Sequence, residues 1–274
     1  MESTVERKFT PSSRGKIRRQ SSFILIFSLG LAILFWRLLA YTGDIPAFML
    51  PTPEMVAERF VKAIADGSLL RHSLVTLSEV LVGLALGVST ATFLGYVLAK
   101  SRLLEQLLAP YIVASQSVPI VAIAPLLIIW FGPGLFSKIL ICALIVFFPV
   151  LINTIVGMRS VPEELRELMR SLQATRWQTL KMLEFPAALP VFLGGLRVGA
   201  TLSVIGAVVG EFVSAAQGLG FLINQARGIY DTSLVFVAVF TLIAMAMSLY
   251  GLVAALESRL LSWQRRSDST HMSQ

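Results

Sequence analysis

Charge is what this sequence has least of. Only 14% of its 274 residues are Asp, Glu, Lys or Arg, against about 25% in an ordinary soluble domain. Apolar residues make up 55%, and the mean hydropathy is +0.77. So few charges cannot furnish a water-facing surface for a chain this long, which excludes most soluble enzymes. Disorder is excluded too, because disordered chains are poor in apolar residues. Cysteine occurs once, at Cys142, so there is no disulfide framework. The two histidines, His72 and His271, are too few for the usual zinc ligand set, and no metal or other cofactor is implied. A phosphate-cradling Gly-x-x-x-x-Gly-Lys-Ser/Thr loop is also missing. The one Gly-Lys pair, Gly15-Lys16, lacks the leading Gly and is followed by Ile17.

What is present is long apolar runs. About 20 mostly apolar residues cross a bilayer as a helix, and stretches of that kind lie at 23–41, 74–99, 103–131, 135–157, 187–213 and 233–261. The third carries Pro119 and Pro125, and reads either as one kinked helix or as two segments meeting near Ser117. The fold class is therefore an all-α polytopic membrane protein of about six spans. The transmembrane domain covers 23–262, between a basic N-terminal tail (1–22) and a C-terminal tail (263–274).

The net charge of +7 follows loop asymmetry. With a cytoplasmic N-terminus, 16 of the 23 Lys and Arg fall on the inner side, 5 on the outer side (Arg59, Lys62, Arg71, Lys138 and Arg227) and 2 within spans (Arg37 and Arg197). Both termini are then cytoplasmic by the positive-inside rule. The first span is longer than a secretory h-region and no small-residue cleavage site follows it, so it reads as an uncleaved helix. The basic arm with Ser12, Ser13, Ser21 and Ser22 reads as a solvated tail near anionic lipid, not as a nucleic-acid-binding segment.

Two connections are long. On the outer side, Thr52 and Pro53 form a helix start. Val56, Phe60 and Ile64 follow at intervals of four, predicting a short amphipathic helix lying on the membrane surface or on the bundle. On the inner side, Ser160-Val161-Pro162-Glu163 has the form of a capping box. Leu165, Leu168, Met169 and Leu172 then form an apolar stripe, flanked by Glu163, Arg166, Glu167 and Arg170. A second start at Thr175, with Gln178 three residues on, predicts two short helices meeting near Gln173 and Ala174. Such a hairpin fits either a partner's groove or the lipid headgroup layer.

The stretch ELMRSLQATRWQTLKMLEFPAALP, Glu167 to Pro190, resembles the EAA signature of the permease subunits of ATP-driven, binding-protein-dependent importers. Glu167 stands at the motif's Glu and Pro186 at its Pro. Leu168 and Met169 replace its two Ala, Gln173 its Gly, and Phe185 its Leu. LPTPEMVAERF before the second span, VPIVAIAPLLIIWFG (118–132) and GLRVGATLSVIGAVVGEFVSAAQGLGFLI (195–223) are similar to the branch importing nitrate, sulfonates, taurine, thiamine-precursor pyrimidines or riboflavin. The resemblance covers about residues 45 to 262.

It implies the MetI-like ABC importer permease fold and a non-catalytic subunit. The implied partners are a second permease copy as a homodimer, a pair of cytoplasmic ATPase subunits that hydrolyse the ATP, and an external substrate-binding protein. The implied coupling loop is 159–186, with Glu164, Glu167, Leu168, Arg170, Leu172, Gln173, Ala174, Trp177 and Pro186 as ATPase-coupling residues. The segment after Glu211, with Ile229-Tyr230-Asp231-Thr232, is closer to the vitamin and pyrimidine importers than to the sulfonate ones.

Polar groups in hydrocarbon are costly and face a cavity or a neighbour. Candidates for the translocation path are Ser115, Gln116 and Ser117 before Pro119, with Asn153, Ser203 and Glu211. Asn153 also suits an inter-helix hydrogen bond, Ser203 a bond to its own backbone, and Glu211 a tie to the Gly218-Leu219-Gly220 loop. Glu79 suits an inter-helix partner or the headgroup level, Arg197 a structural brace, and Cys142 a packed apolar position. Gly83 and Gly87, Gly195 and Gly199, and Gly206 and Gly210 are spaced by four, as in ridges that let membrane helices approach closely. An ion-coupled secondary transporter is the alternative, but it leads one to expect internal repeats and central acid pairs, and neither is evident.

Overall fold

The computed structural model describes residues 13–43 and 45–261. Among these the structure is all-helical: α1 (Ser13–Thr42), α2 (Pro53–Ala65), α3 (Ser68–Lys100), α4 (Arg102–Ser117), α5 (Ile120–Phe131), α6 (Leu135–Arg159), α7 (Glu163–Ser171), α8 (Arg176–Thr179), a π-helical turn (Leu180–Glu184), α9 (Phe185–Ser214), α10 (Leu219–Gly228) and α11 (Thr232–Leu260). α1 starts at Ser13, ten residues ahead of the expected span, so it takes in part of the basic arm. Residues 1–12 and 262–274, which hold the rest of that arm and the expected C-terminal tail, lie outside the described residues.

α6 is the centre of the molecule, packed along α3 on one side and α9 on the other. The glycine ridges set the register. Gly83, Gly87 and Gly95 of α3 meet Cys142, Ala143 and Thr154, so α3 and α6 run parallel. Gly195, Gly199 and Gly206 of α9 meet Asn153, Val146 with Val150, and Cys142, so α9 runs antiparallel to both. At Cys142 two ridges converge. A Cβ on Gly83 would stand 2.5 Å from Cys142 Cβ, and one on Gly206 would stand 2.7 Å from Cys142 Cα. Cys142 is fully buried, its Sγ 3.2 Å from the carbonyl of Ser203, in keeping with a small packed residue.

Because α3 and α6 are parallel, the chain between them must return from one end of the bundle to the other. α4 and α5 make that return as one broken crossing, bent by 95°. The break lies where the sequence puts it. Pro119 has no N–H to donate, and it forces Val118 into an extended conformation (φ −83°, ψ 120°). With α3, α6, the continuous Arg176–Ser214 helix and α11, this gives five crossings. The apolar part of α1, Phe27–Thr42, corresponds to the remaining expected span.

At the end where α3 and α6 begin, α2, α10 and the start of α11 share a core of Val56, Ala63, Leu69, Leu219, Leu222, Ala226 and Leu234. Thr52 caps α2, accepting from Met55 N, and Pro53 opens it, as expected. The buried stripe of α2 is Val56 and Ala63, however, while Phe60 and Ile64 are exposed. The helix rests on α11 and α3 by Val56 and Ala63, seven residues apart, and Phe60 and Ile64 fall off that face.

Candidate functional site

At the opposite end the chain leaves α6 and builds the hairpin before entering α9. Ser160 does not open a capping box. Its Oγ donates to the carbonyl of Gly157 at 2.8 Å, closing α6, and α7 starts after Pro162 without a side-chain cap. Local serine-to-backbone bonding has outcompeted the cap. The second start is as expected: Gln178 N donates to Thr175 Oγ1 at 3.3 Å, and Thr175 N donates to Gln178 Oε1 at 2.8 Å.

Between the two helices α7 ends in a Schellman turn. Gln173 N donates to the carbonyl of Arg170 at 2.9 Å and Ala174 N to that of Met169 at 3.0 Å. Such a turn needs a left-handed residue, and Gln173 supplies it with φ 54°. The tight turn is thus kept without the signature's Gly, at the steric cost of a Cβ in the left-handed region.

Much of the hairpin's apolar surface is left bare by the rest of the chain. No residue of α7 is buried, and Leu168, Leu172 and Trp177 are 53%, 67% and 69% exposed. Glu164, Glu167, Arg170 and Gln173 are exposed beside them, while Ala174 and Pro186 are half-buried. The base, by contrast, is fastened. Lys100 at the end of α3 pairs with Glu184, Arg166 donates to the carbonyl of Met158 at 2.8 Å, and Arg159 pairs with Glu105 of α4.

The π-helical turn at Leu180–Glu184 has a local cause. Pro186 cannot donate to Met182, and Phe185 N reaches Leu180 O instead, widening the helix before it continues as α9. On the outside of the bundle, Arg197 of α9 pairs with Glu257 of α11 and stacks over the Tyr250 ring at 5.1 Å, the expected brace.

The path candidates separate. Ser115 and Gln116 line an open groove of about 580 Å³ with Pro119, Phe148, Pro149 and Ile205, so the α4–α5 break faces α6 and α9 across it. Ser117 is exposed, its Oγ donating to the carbonyl of Val113. Asn153, Ser203 and Glu211 are not in that groove. Asn153 donates to the carbonyl of Pro149 at 2.8 Å and packs on Gly195. Ser203 is fully buried and donates to the carbonyl of Ala200.

Glu211 is buried in a polar network at the end opposite the hairpin. It accepts from Thr76 Oγ1 at 2.6 Å and from Gly220 N, while Thr76 Oγ1 accepts from Leu219 N at 2.8 Å and His72 Nδ1 from Gly218 N at 3.0 Å. A Cβ at Gly218 would fall 2.1 Å from Glu211 Oε1, so this loop and this acid are matched. Beside them Lys138 Nζ donates to Glu79 Oε1 at 2.9 Å, both groups buried. Lys138 is therefore an inter-helix partner and not an outer-loop cation. An ionisable residue three positions into an apolar span is the signal that a partner such as Glu79 was required. Glu184, two residues ahead of Pro186, is the corresponding signal for Lys100.

Comparison with known proteins places this geometry. Residues 83–262 match the family of binding-protein-dependent transport system inner membrane components. The riboflavin transport system permease protein of Chloroflexus aurantiacus is 51% identical over 237 residues, covering 86% of this chain and 88% of that protein. The formylaminopyrimidine transport permease protein of Halalkalibacterium halodurans is 32% identical, covering 80% and 87%. The taurine transport system permease protein of Escherichia coli is 32% identical, covering 87% and 88%. Among solved structures, the methionine ABC transporter MetNI in an inward-facing conformation matches with a TM-score of 0.64 at 19% identity, over 70% of this chain and 96% of the matched one. The broken α4–α5 crossing, the glycine-packed α3–α6–α9 core and the fastened hairpin are thus the parts of a MetI-like fold, and the chain belongs to the binding-protein-dependent permease family, as an ABC importer permease subunit.

Proposed function

We propose that this subunit forms half of the path for a small heteroaromatic vitamin or vitamin precursor, riboflavin or a thiamine-precursor pyrimidine before taurine or a sulfonate. The riboflavin transport function of the 51% identical relative supports riboflavin as the first candidate, while the formylaminopyrimidine and taurine relatives, both 32% identical, are not separated by identity and the pyrimidine is preferred on the Ile229–Thr232 segment. The groove at Ser115 and Gln116 is open on one side, which suits a path completed by a second copy. α4 buries none of its residues within the chain, which leaves it free for that contact. Both termini face the cytoplasm by the Lys and Arg count.

The observation that carries the coupling assignment is the pairing of a bare apolar hairpin surface with a fastened base. An exposed stripe of Leu168, Leu172 and Trp177 adds nothing to the bundle's own stability. Seated in a cleft of a cytoplasmic ATPase, it transmits motion because Lys100–Glu184 and Arg166–Met158 tie it to α3 and α6. ATP bound more tightly to the closed ATPase dimer draws the two hairpins together and biases the spans toward the outward-open state. Hydrolysis returns them.

The test is reconstitution with the ATPase and the external binding protein, followed by uptake of labelled riboflavin, a formylaminopyrimidine and taurine. ATP-dependent uptake of one of the first two, abolished in Leu168→Asp/Leu172→Asp together with ATPase co-purification, is the expected result. Undiminished ATPase association and uptake in that variant contradicts the coupling assignment. Uptake of taurine alone contradicts the substrate order.

A further inference from the structure

At the end opposite the hairpin, three helices bring two acids and one base together out of water. α3 contributes Thr76 and Glu79, which stand one turn apart and so share a face. α6 contributes Lys138, and α9 contributes Glu211. Glu79, Glu211 and Lys138 are 0%, 1% and 8% exposed. Lys138 packs on Gly210, the residue before Glu211, where a Cβ would stand 3.2 Å from the Cα, Cβ and Cγ of the lysine. The lysine Nζ donates to Glu79 Oε1 at 2.9 Å, and Glu79 also lies within hydrogen-bonding reach of Glu211.

The charges in this cluster do not balance. Two carboxyl groups face one ammonium, and the neighbouring elements supply no second cation. His72 accepts from Gly218 N with its Nδ1, as a neutral ring does. Arg71 and Arg227 are exposed, and Arg59 pairs with Asp231. The hydrogen bonds are unequal too. Glu211 accepts from Thr76 Oγ1 and from Gly220 N, whereas no donor among the described residues reaches Glu79 Oε2. A buried acceptor without a donor and a buried charge without a counter-charge are each costly. One proton answers both, because two carboxyl groups in contact away from water share a proton more readily than they both ionise. We propose that Glu79 and Glu211 form a proton-binding site: one proton, carried on Glu79 Oε2 and donated to Glu211, completes the contact between α3 and α9 and leaves one carboxylate to one ammonium. Loss of the proton places two carboxylates across that contact, beside the Gly218–Gly220 loop. The inference rests on the packed fold and not on the coupling assignment or the substrate.

The experiment uses the full-length chain in maltoside micelles, which contribute no carbonyl absorption of their own. Infrared spectroscopy at neutral pH reads the C=O stretch of a protonated carboxyl group, identified by its downshift in heavy water. Wild type is expected to show this band. Glu79→Gln and Glu211→Gln are each expected to lose it, because either change leaves one acid to one ammonium. Lys138→Gln, which removes the ammonium and keeps both acids, is expected to retain it. Raising the pH is expected to bleach the wild-type band reversibly. Hydrogen-exchange protection at the Leu219 and Gly220 amides, corrected for the intrinsic effect of pH, is expected to fall in step. Glu79→Gln has no such proton to lose and is expected to keep its protection over the same range.

Absence of the band from wild type overturns the proposal, and that measurement needs no variant to fold. So does a band that survives either glutamine substitution in a chain folded by gel filtration, since the proton then belongs to another acid or to one of the pair alone. Protection at Leu219 and Gly220 unchanged while the wild-type band bleaches overturns the claim that the proton completes the contact. None of these outcomes bears on whether the chain carries riboflavin.

Discussion

Lys100 Nζ donates to both carboxylate oxygens of Glu184, at 2.6 and 2.7 Å, and so joins the end of α3 to the turn from which α9 leaves the hairpin. Glu184 is almost wholly buried while Lys100 is 42% exposed. The carboxylate has therefore given up most of its hydration and depends on one ammonium group. Removing the lysine leaves a buried charge, whereas removing both residues leaves only a space to fill.

Lys100→Met is expected to destabilise the protein by about 2 kcal/mol, below the 3–5 of a fully buried pair because water still reaches the lysine. Lys100→Met/Glu184→Leu is expected to recover most of that loss. Thermal unfolding in nanodiscs measures the stability. Uptake measured alongside is expected to fall in both variants, because neither keeps the tie between hairpin and α3.

Gln173 occupies a left-handed position that Gly adopts without steric cost. Gln173→Gly is expected to slow hydrogen exchange at the Gln173 and Ala174 amides, which donate in the turn, and to stabilise it by about 0.5–1 kcal/mol. Gln173→Val, with a β-branched side chain, is expected to do the reverse. Faster exchange in Gln173→Gly would show that the Schellman geometry is not the resting one.

The contact of Gly83 with Cys142 makes a sharper prediction. Gly83→Ala is expected to cost about 1–3 kcal/mol, the usual penalty for overpacking a filled core. Cys142→Ala should not rescue it, because the inserted Cβ meets Cys142 Cβ at 2.5 Å as well as Sγ at 2.6 Å. Cys142→Gly should rescue it in part, less the helix cost of Gly. The readout is the folded fraction by gel filtration and thermal stability.

Glu211→Leu is expected to raise hydrogen exchange at the Leu219 and Gly220 amides and to lower stability by about 1–3 kcal/mol, because Thr76 and Gly220 then lose a buried acceptor. If Glu211 served the path and not the loop, uptake would collapse with exchange at Leu219 and Gly220 unchanged.

These residues also show how far the sequence could be read. The spans, the cap at Thr52, the start at Thr175 and the Pro119 break follow from local rules, namely side-chain caps, missing N–H groups and runs of apolar residues. The glycine spacing gave the ridges but not their partners, because a four-residue period states that a helix has a narrow face and not what meets it. At Ser160 the sequence is ambiguous because the same hydroxyl can bond forward to a following helix or back to Gly157, and only the geometry of the α6 terminus decides. The pairs Lys138–Glu79 and Lys100–Glu184 join residues 59 and 84 positions apart, and chain order carries no information on which charges meet. Ser203 and Glu211 are polar on apolar helices, which marks them as needing partners without telling a water-filled path from a neighbouring helix.

The most direct test uses a cysteine placed at Leu172, the exposed residue that caps the end of α7. Cys142 is the chain's sole cysteine and is fully buried, so a photo-crosslinker attached at position 172 labels one site. In membrane vesicles containing the co-expressed ATPase, illumination is expected to give an adduct to the ATPase whose yield changes between ATP and ADP. Adducts to lipid alone, with no ATPase captured in either nucleotide state, would contradict the claim that this hairpin is where the energy of ATP enters the membrane subunit.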